Sequence, residues 1–160
     1  MIKKLAALCF LISSIGHANQ ITVDLHGTGD AKTNFGTLVF NDSPYGLLIT
    51  PHLTQLPPGA HGFHLHEHPN CDAHGMAAGN HFDPKKTNTH QGPYGAGHLG
   101  DLPVFFVGLD GKANTPLLAP KLTTEQLKGL AVMLHHGGDN YTDTPALGGG
   151  GARIACGVIQ

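Results

Sequence analysis

Residues 61–71 run HGFHLHEHPNC, and the four residues Phe63-His64-Leu65-His66 inside them alternate apolar with imidazole side chains. On a β-strand, side chains two apart point to the same face. Phe63 and Leu65 can therefore enter a core while His64 and His66 stand together on the other side. The same pattern runs outward from this stretch. Ile21, Val23 and Leu25 alternate with polar residues, and short apolar runs follow at 36–40, 45–50, 61–66, 103–109, 130–135 and 153–159. Punctuated by glycine and proline, such runs predict a sandwich or barrel of short antiparallel strands. Thr123-Thr124-Glu125-Gln126 predicts a capped turn of at most two helical turns before Gly129.

Two stretches break the strand rhythm. Residues 67–100 carry no periodic signal, and residues 137–152 are dominated by glycine. A loop of that length inside one domain is functional or disordered. The first holds Cys71, His81, His90 and His98, with Asp101 just beyond it. Metal ligation and a disulfide can supply the order that secondary structure does not.

The chain has 160 residues, 13 of them histidine, which suits one domain with a leader. Lys3 and Lys4, an apolar run over 5–15 and Gly16-His17-Ala18 have the layout of a secretory signal peptide. The run is too short to span a bilayer, so export without membrane insertion is expected, with residues 1–18 as leader and 19–160 as the single domain. Lys and Arg total 9 and Asp and Glu 11, so removing the two leader lysines leaves 7 − 11 = −4 with histidine neutral. That balance gives no basic footprint for nucleic acid. Cys9 leaves with the leader. Cys71 and Cys156 remain as one pair, which in an oxidising compartment most simply forms a disulfide. Closing a loop of roughly 85 residues is worth at most about 4 to 5 kcal/mol in chain entropy.

An isolated His-x-His is a weak metal signal, but His64 and His66 are followed by His81, His90 and His98, with Asp101 three residues after the last. Imidazole suits zinc and copper, and a carboxylate as fourth ligand is compatible with a closed tetrahedral zinc site. A second, copper-type cluster then needs one more histidine, which His135 or His136 can supply. The count is enough for two metals.

GFHLHEHPNC, GNHFDPKKTNTHQGP, GHLGDL, MLHHGGDN and GGGGARIACGVI resemble, in order, the successive motifs of the copper-zinc superoxide dismutase family. The resemblance covers essentially the whole chain after the leader, and the leader and disulfide-bearing loop are similar to the bacterial periplasmic branch. It implies an eight-stranded antiparallel Greek-key barrel, an immunoglobulin-like sandwich with two long functional loops. It implies one copper held by His64, His66, His81 and His135, and one zinc held by His81, His90, His98 and Asp101, with His81 bridging as an imidazolate. His135 is preferred to His136 because the family pattern places an aspartate four residues after the ligand, and Asp139 occupies that position. Asp139 resembles the carboxylate that hydrogen-bonds ligands of both metals, Arg153 the arginine beside copper, and Cys71 with Cys156 the family disulfide.

The implied activity is dismutation of superoxide to dioxygen and hydrogen peroxide by a copper redox cycle. Zinc organises and tunes, His81 exchanges a proton, and the enzyme protects the cell envelope. Copper-handling relatives usually lose part of the ligand set or the arginine; this chain keeps them all. Arg153, cationic at any relevant pH, is expected to capture the anion locally, with Lys85 and Lys86 steering from further away. His61 is expected to make a structural hydrogen bond near the ligand strand. His26, His52, His68 and His74 are expected at the surface, and His136 on the side of its strand opposite His135. Bacterial members resembling this chain include monomers and homodimers, and the sequence does not choose between them.

Overall fold

In the computed structural model, which describes residues 20–31 and 33–160, the alternating runs become nine strands, all paired antiparallel. They are β1 (Gln20–Gly27), β2 (Asn34–Ser43), β3 (Gly46–Leu53), β4 (Gly59–His61), β5 (Phe63–His66), β6 (Phe105–Val107), β7 (Leu117–Ala119), β8 (Ala131–His135) and β9 (Arg153–Val158). The expected leader lies outside the described residues. No helix of the described residues is long and apolar enough to cross a membrane.

Seven strands form one sheet in the order β5-β8-β9-β1-β2-β3-β7, and β4 pairs with β6. The crossovers between non-consecutive neighbours are those of a Greek-key arrangement. Where eight strands are expected, nine segments occur, because the run 61–66 divides at Gly62. The Gly62 N–H donates to Gly137 O and its carbonyl accepts from the His135 N–H, at 2.7 and 2.8 Å. One residue pinned to the 136–152 loop thus sends β4 to one sheet and β5 to the other. The segment β7 carries no alternation and is not visible in the sequence pattern.

The core follows the pleat. Val23 and Leu25 of β1, Leu38 and Phe40 of β2, and Leu47, Ile49 and Leu53 of β3 are buried in one apolar cluster with Phe63, Leu65, Val132 and Leu134. Strands β5 and β8 are buried on both faces, as the central pairing Phe63↔Leu134, His64↔Met133, Leu65↔Val132 and His66↔Ala131 requires. Phe63 and Leu65 face the main core. On the other face Ala131 and Met133 join Ala78, Cys156 and Cys71 in a second cluster under the 67–104 loop. The capped turn is present over Thr124–Leu127, with the reciprocal Thr123 and Gln126 hydrogen bonds of a capping box.

The long loop is tied down at several points. Cys71 and Cys156 are bridged across 85 residues. Isolated bridges pair His66 with His81 and His64 with Asp101, so the loop returns alongside β5 and carries its side chains to the strand that holds the first two histidines.

Candidate metal centre

Three elements converge on one buried place. Strand β5 supplies His64 and His66, the end of β8 supplies His135, and the loop supplies His81, His90, His98 and Asp101. His64, His66, His90, Asp101, His81 and His135 are each at most 6% exposed. Nitrogen atoms of His64, His66, His81 and His135 all lie within 4.8 Å of one another, and donor atoms of His64, His81, His90 and Asp101 do likewise. His81 belongs to both groups. His64 also enters both on distance, because its ring stacks on that of His81 with centroids 4.0 Å apart.

His98 joins the second group through Asp101. Its Nδ1 lies 3.4 Å from Asp101 Oδ1, beside His81 Nδ1 at 2.9 Å and His90 Nδ1 at 3.0 Å. Zinc–ligand bonds of about 2.0 to 2.1 Å in a tetrahedron place ligand atoms about 3.3 Å apart. Three nitrogens and one carboxylate oxygen at these separations have the dimensions of such a site.

The nitrogens left over are more informative than those in contact. Eight buried side-chain polar atoms among the described residues have no hydrogen-bond partner, and six of them are His64 Nδ1, His66 Nε2, His81 Nε2, His90 Nδ1, His98 Nδ1 and His135 Nε2. An unsatisfied buried polar atom costs about 1 to 3 kcal/mol, so six turned toward one another have no structural rationale without cations between them. The other ring nitrogens are anchored. His64 Nε2 and His90 Nε2 meet the two oxygens of Asp139 at 2.7 and 2.8 Å. His66 Nδ1 lies 3.0 Å from Gly79 O, and His135 Nδ1 lies 3.1 Å from Gly151 O. Each contact fixes the ring and leaves the opposite nitrogen free to ligate. The residues present fit one copper and one zinc.

The protonation of the two groups differs. Burial, the largest cause, pushes His64 down to about 3, His66 to about 2 and His135 to about 4, overriding the hydrogen bonds that favour their protonated forms. Burial also lowers His81. At His90 burial acts in the same direction, but the flanking carboxylates of Asp101 and Asp139 outweigh it and raise the imidazole to about 9. The two carboxylates respond reciprocally. Although burial favours their neutral forms, the histidines hold both well below the usual carboxylate range.

Arg153 is held by carbonyls. Its Nη1 donates to Gly75 O at 2.5 Å and its Nη2 to Gly79 O at 2.7 Å. These bonds orient the guanidinium without neutralising it. The charge is close enough to the β5 and β8 histidines to disfavour protonation of His66 and His135. Gly75 and Gly79 hold the arginine through backbone oxygens, which sequence reasoning misses. The glycine run 148–151 packs against the centre. A Cβ on Gly148 would lie 1.9 Å from Asp139 Oδ1 and 2.7 Å from His90 Nε2, and the residue has φ +71°. Only glycine permits that approach.

The remaining histidines separate clearly. His61 is buried, with Nδ1 2.8 Å from His135 O and Nε2 2.8 Å from Pro57 O, a structural link behind the ligand strand. His52, His68, His74 and His136 are exposed. His26 departs from expectation: it is half-buried, and its Nδ1 is fully enclosed. Lys85 and Lys86 are both exposed, but they face different cavities. Lys86 shares one of about 360 Å³ with His81, Asn80 and Glu67, whereas Lys85 shares one of about 540 Å³ with His98 and Lys121.

The copper/zinc superoxide dismutase family model matches residues 34–159. The chain is 54% identical over 150 residues to a Cu-Zn superoxide dismutase of Legionella pneumophila, covering 94% of this chain and 93% of that one. Among solved structures it is similar to a Cu/Zn superoxide dismutase from Brucella abortus, with a TM-score of 0.84 and 42% identity over 89% of this chain and 100% of that one. It is also similar to a monomeric copper, zinc superoxide dismutase from Salmonella enterica, with a TM-score of 0.78 and 44% identity over the same shares.

Proposed function

We propose, from the premise that the chain belongs to the copper/zinc superoxide dismutase family, that His64, His66, His81 and His135 hold its copper and that His81, His90, His98 and Asp101 hold its zinc. Superoxide is its substrate, dismutation its activity, and copper and zinc its metals. The observation that carries the assignment is the set of six buried imidazole nitrogens without partners, which gather in two groups that share His81 and His64, with His98 joined to the second through Asp101. Two superoxide anions and two protons give one dioxygen and one hydrogen peroxide; copper supplies the reversible one-electron couple, and zinc, without redox chemistry, supplies fixed charge.

The side chains supply capture, orientation and protons. Arg153 presents an unneutralised cation beside the β5 and β8 histidines and draws the anion in against the net negative charge of the chain. His81 has one nitrogen in each group, so its Nε2 can hold a proton on the side where substrate arrives while Nδ1 stays with Asp101. Asp139, locked between His64 and His90, keeps both rings aimed.

Three finer readings accompany this one. Residues 1–18 act as a secretory leader and the enzyme works in the periplasm, where it protects the envelope. Lys86, which shares a cavity with His81, steers the substrate, and Lys85 does not. Phe106 and Leu109, 66% and 97% exposed, give an apolar edge for a homodimer, to be tested by sedimentation. The assignment as a whole is tested by dismutation assays with metal analysis on the same disulfide-intact sample. Activity at one copper and one zinc per chain supports it. Stoichiometric metal without activity would replace it with a copper-handling role.

A further inference from the structure

Beyond the six ligand nitrogens, two buried polar atoms among the described residues lack partners: Asp83 Oδ1, in the loop beside the second metal group, and His26 Nδ1. His26 stands on β1, where it pairs directly with Cys156 of β9. Residues opposite each other in an antiparallel ladder share a face, with Cβ atoms about 4.5 to 5.5 Å apart. The imidazole therefore stands beside the disulfide. A cavity of about 510 Å³ opens at this place, lined among others by His26, Ala31, Cys71 and Cys156. Of the two sulfur-bearing residues, Cys156 is buried and Cys71 is partly exposed.

We propose that the Cys71–Cys156 disulfide and His26 form a thiol-exchange site that admits a small-molecule thiol through this cavity. The incoming thiolate attacks Cys71 Sγ, the more accessible sulfur. A bond forms between the two, the Cys71–Cys156 bond breaks, and its electron pair leaves with Cys156 Sγ as a thiolate. His26 Nδ1–H, which has no partner in the oxidised protein, donates a hydrogen bond to that thiolate, which takes from solvent the proton the incoming thiol gave up. A second small thiolate then attacks the mixed disulfide, releasing the oxidised small molecule and a Cys71 thiolate. Two electrons have passed from two thiols to the bridge, and the reverse sequence forms it. A thiol leaves faster as its thiolate is stabilised, and an adjacent histidine supplies such stabilisation. The bridge anchors the loop whose Gly75 and Gly79 carbonyls hold Arg153, so opening it loosens the grip on the arginine. The proposal does not depend on the metal assignment.

The test is the rate at which cysteamine opens the bridge in the metal-loaded full chain, followed by thiol alkylation and mass measurement. Wild type is compared with His26→Ala, His26→Gln and His52→Ala, the last an exposed histidine on β3. His26→Ala is expected to slow opening by about tenfold or more, His26→Gln to slow it less, and His52→Ala to leave it unchanged. A merely structural His26 predicts the opposite sign, because loosening β1 against β9 exposes the bridge and speeds its reduction. Opening that is unchanged or faster in His26→Ala overturns the proposal. If that variant does not fold, a rate in His26→Gln equal to or above wild type overturns it instead.

Discussion

The two halves of the metal centre are built by different means. The proposed copper group is mounted on the barrel wall: His64 and His66 stand on β5 and His135 at the end of β8, held by ladder pairing with apolar residues beneath. The proposed zinc group hangs on the 67–104 loop, and its members are held chiefly by one another and by Asp139. The wall ligands are buried as neutral imidazoles, ready for a metal. On the loop side, His90 is favoured as a cation between two carboxylates. Strand-borne ligands exist before the metal arrives, whereas loop-borne ligands need something positive among them to stay together.

The sharpest way to break this contrast is to delete one ligand from each half. His64→Ala is expected to remove copper and lower activity by at least about a hundredfold, while zinc content and the order of the loop persist. His98→Ala is expected to lose zinc and loop order while copper still binds. Metal analysis, activity and hydrogen exchange over residues 67–104 read both outcomes. Equal loss of both metals in both variants would erase the distinction.

Asp139→Asn should act on both halves together. Removing the carboxylate that orients His64 and His90 is expected to cost about 10 to 100-fold in affinity for each metal, measurable by competition with chelators. An effect confined to zinc would mean that β5 holds His64 without help.

The pH dependence should also differ in sign. Metal uptake requires neutral imidazoles. Zinc affinity of the metal-free protein is expected to rise about tenfold per pH unit up to about pH 9, as His90 loses its proton. Copper affinity should be nearly flat above about pH 5, because His64, His66 and His135 titrate at about 3, 2 and 4. Folding stability follows the same logic. His64, His66 and His135 lie below their unfolded value of 6.5, so their contribution is present above that pH and falls away as pH drops through about 4, 3 and 2 in turn. His90 lies above it, so its contribution is full below 6.5 and lost as pH rises toward 9. The metal-free protein should therefore be most stable near pH 6.5 in chemical denaturation.

The smallest expected effect concerns steering. Lys86→Gln should lower the rate about twofold at low salt and flatten its ionic-strength dependence, and Lys85→Gln should change neither. Equal effects would assign steering to overall charge rather than to the cavity at His81.

Legibility in the sequence divides along a similar line. Alternation is a local property, so the strands that bury one face each, and the two-sided role of 63–66, are readable residue by residue. Residue spacing alone leaves His135 and His136 open, and the family resemblance, with its aspartate four residues after the ligand, selects His135; the structure places His135 in the centre and His136 in solvent. What escaped was backbone chemistry and strands without a pattern. Gly75 and Gly79 act through carbonyls that any residue carries, Gly148 through a missing Cβ, and Leu117–Ala119 pairs with β3 over three positions only. His26 was misplaced because its enclosure depends on β9, a strand far away in sequence.

The position of β9 bears on when this enzyme can come into being. It follows every other described strand in the chain, yet it lies in the interior of the large sheet, between β8 and β1. Until residues 153–158 have been made, the first and the eighth strands have no partner to join them, and Arg153 and Cys156 do not exist. A ribosome-bound fragment can form the β1–β2–β3 meander but neither the seven-stranded sheet nor the complete pocket. Activity is thus withheld during synthesis, and the pocket that Arg153 completes is assembled only by a finished chain.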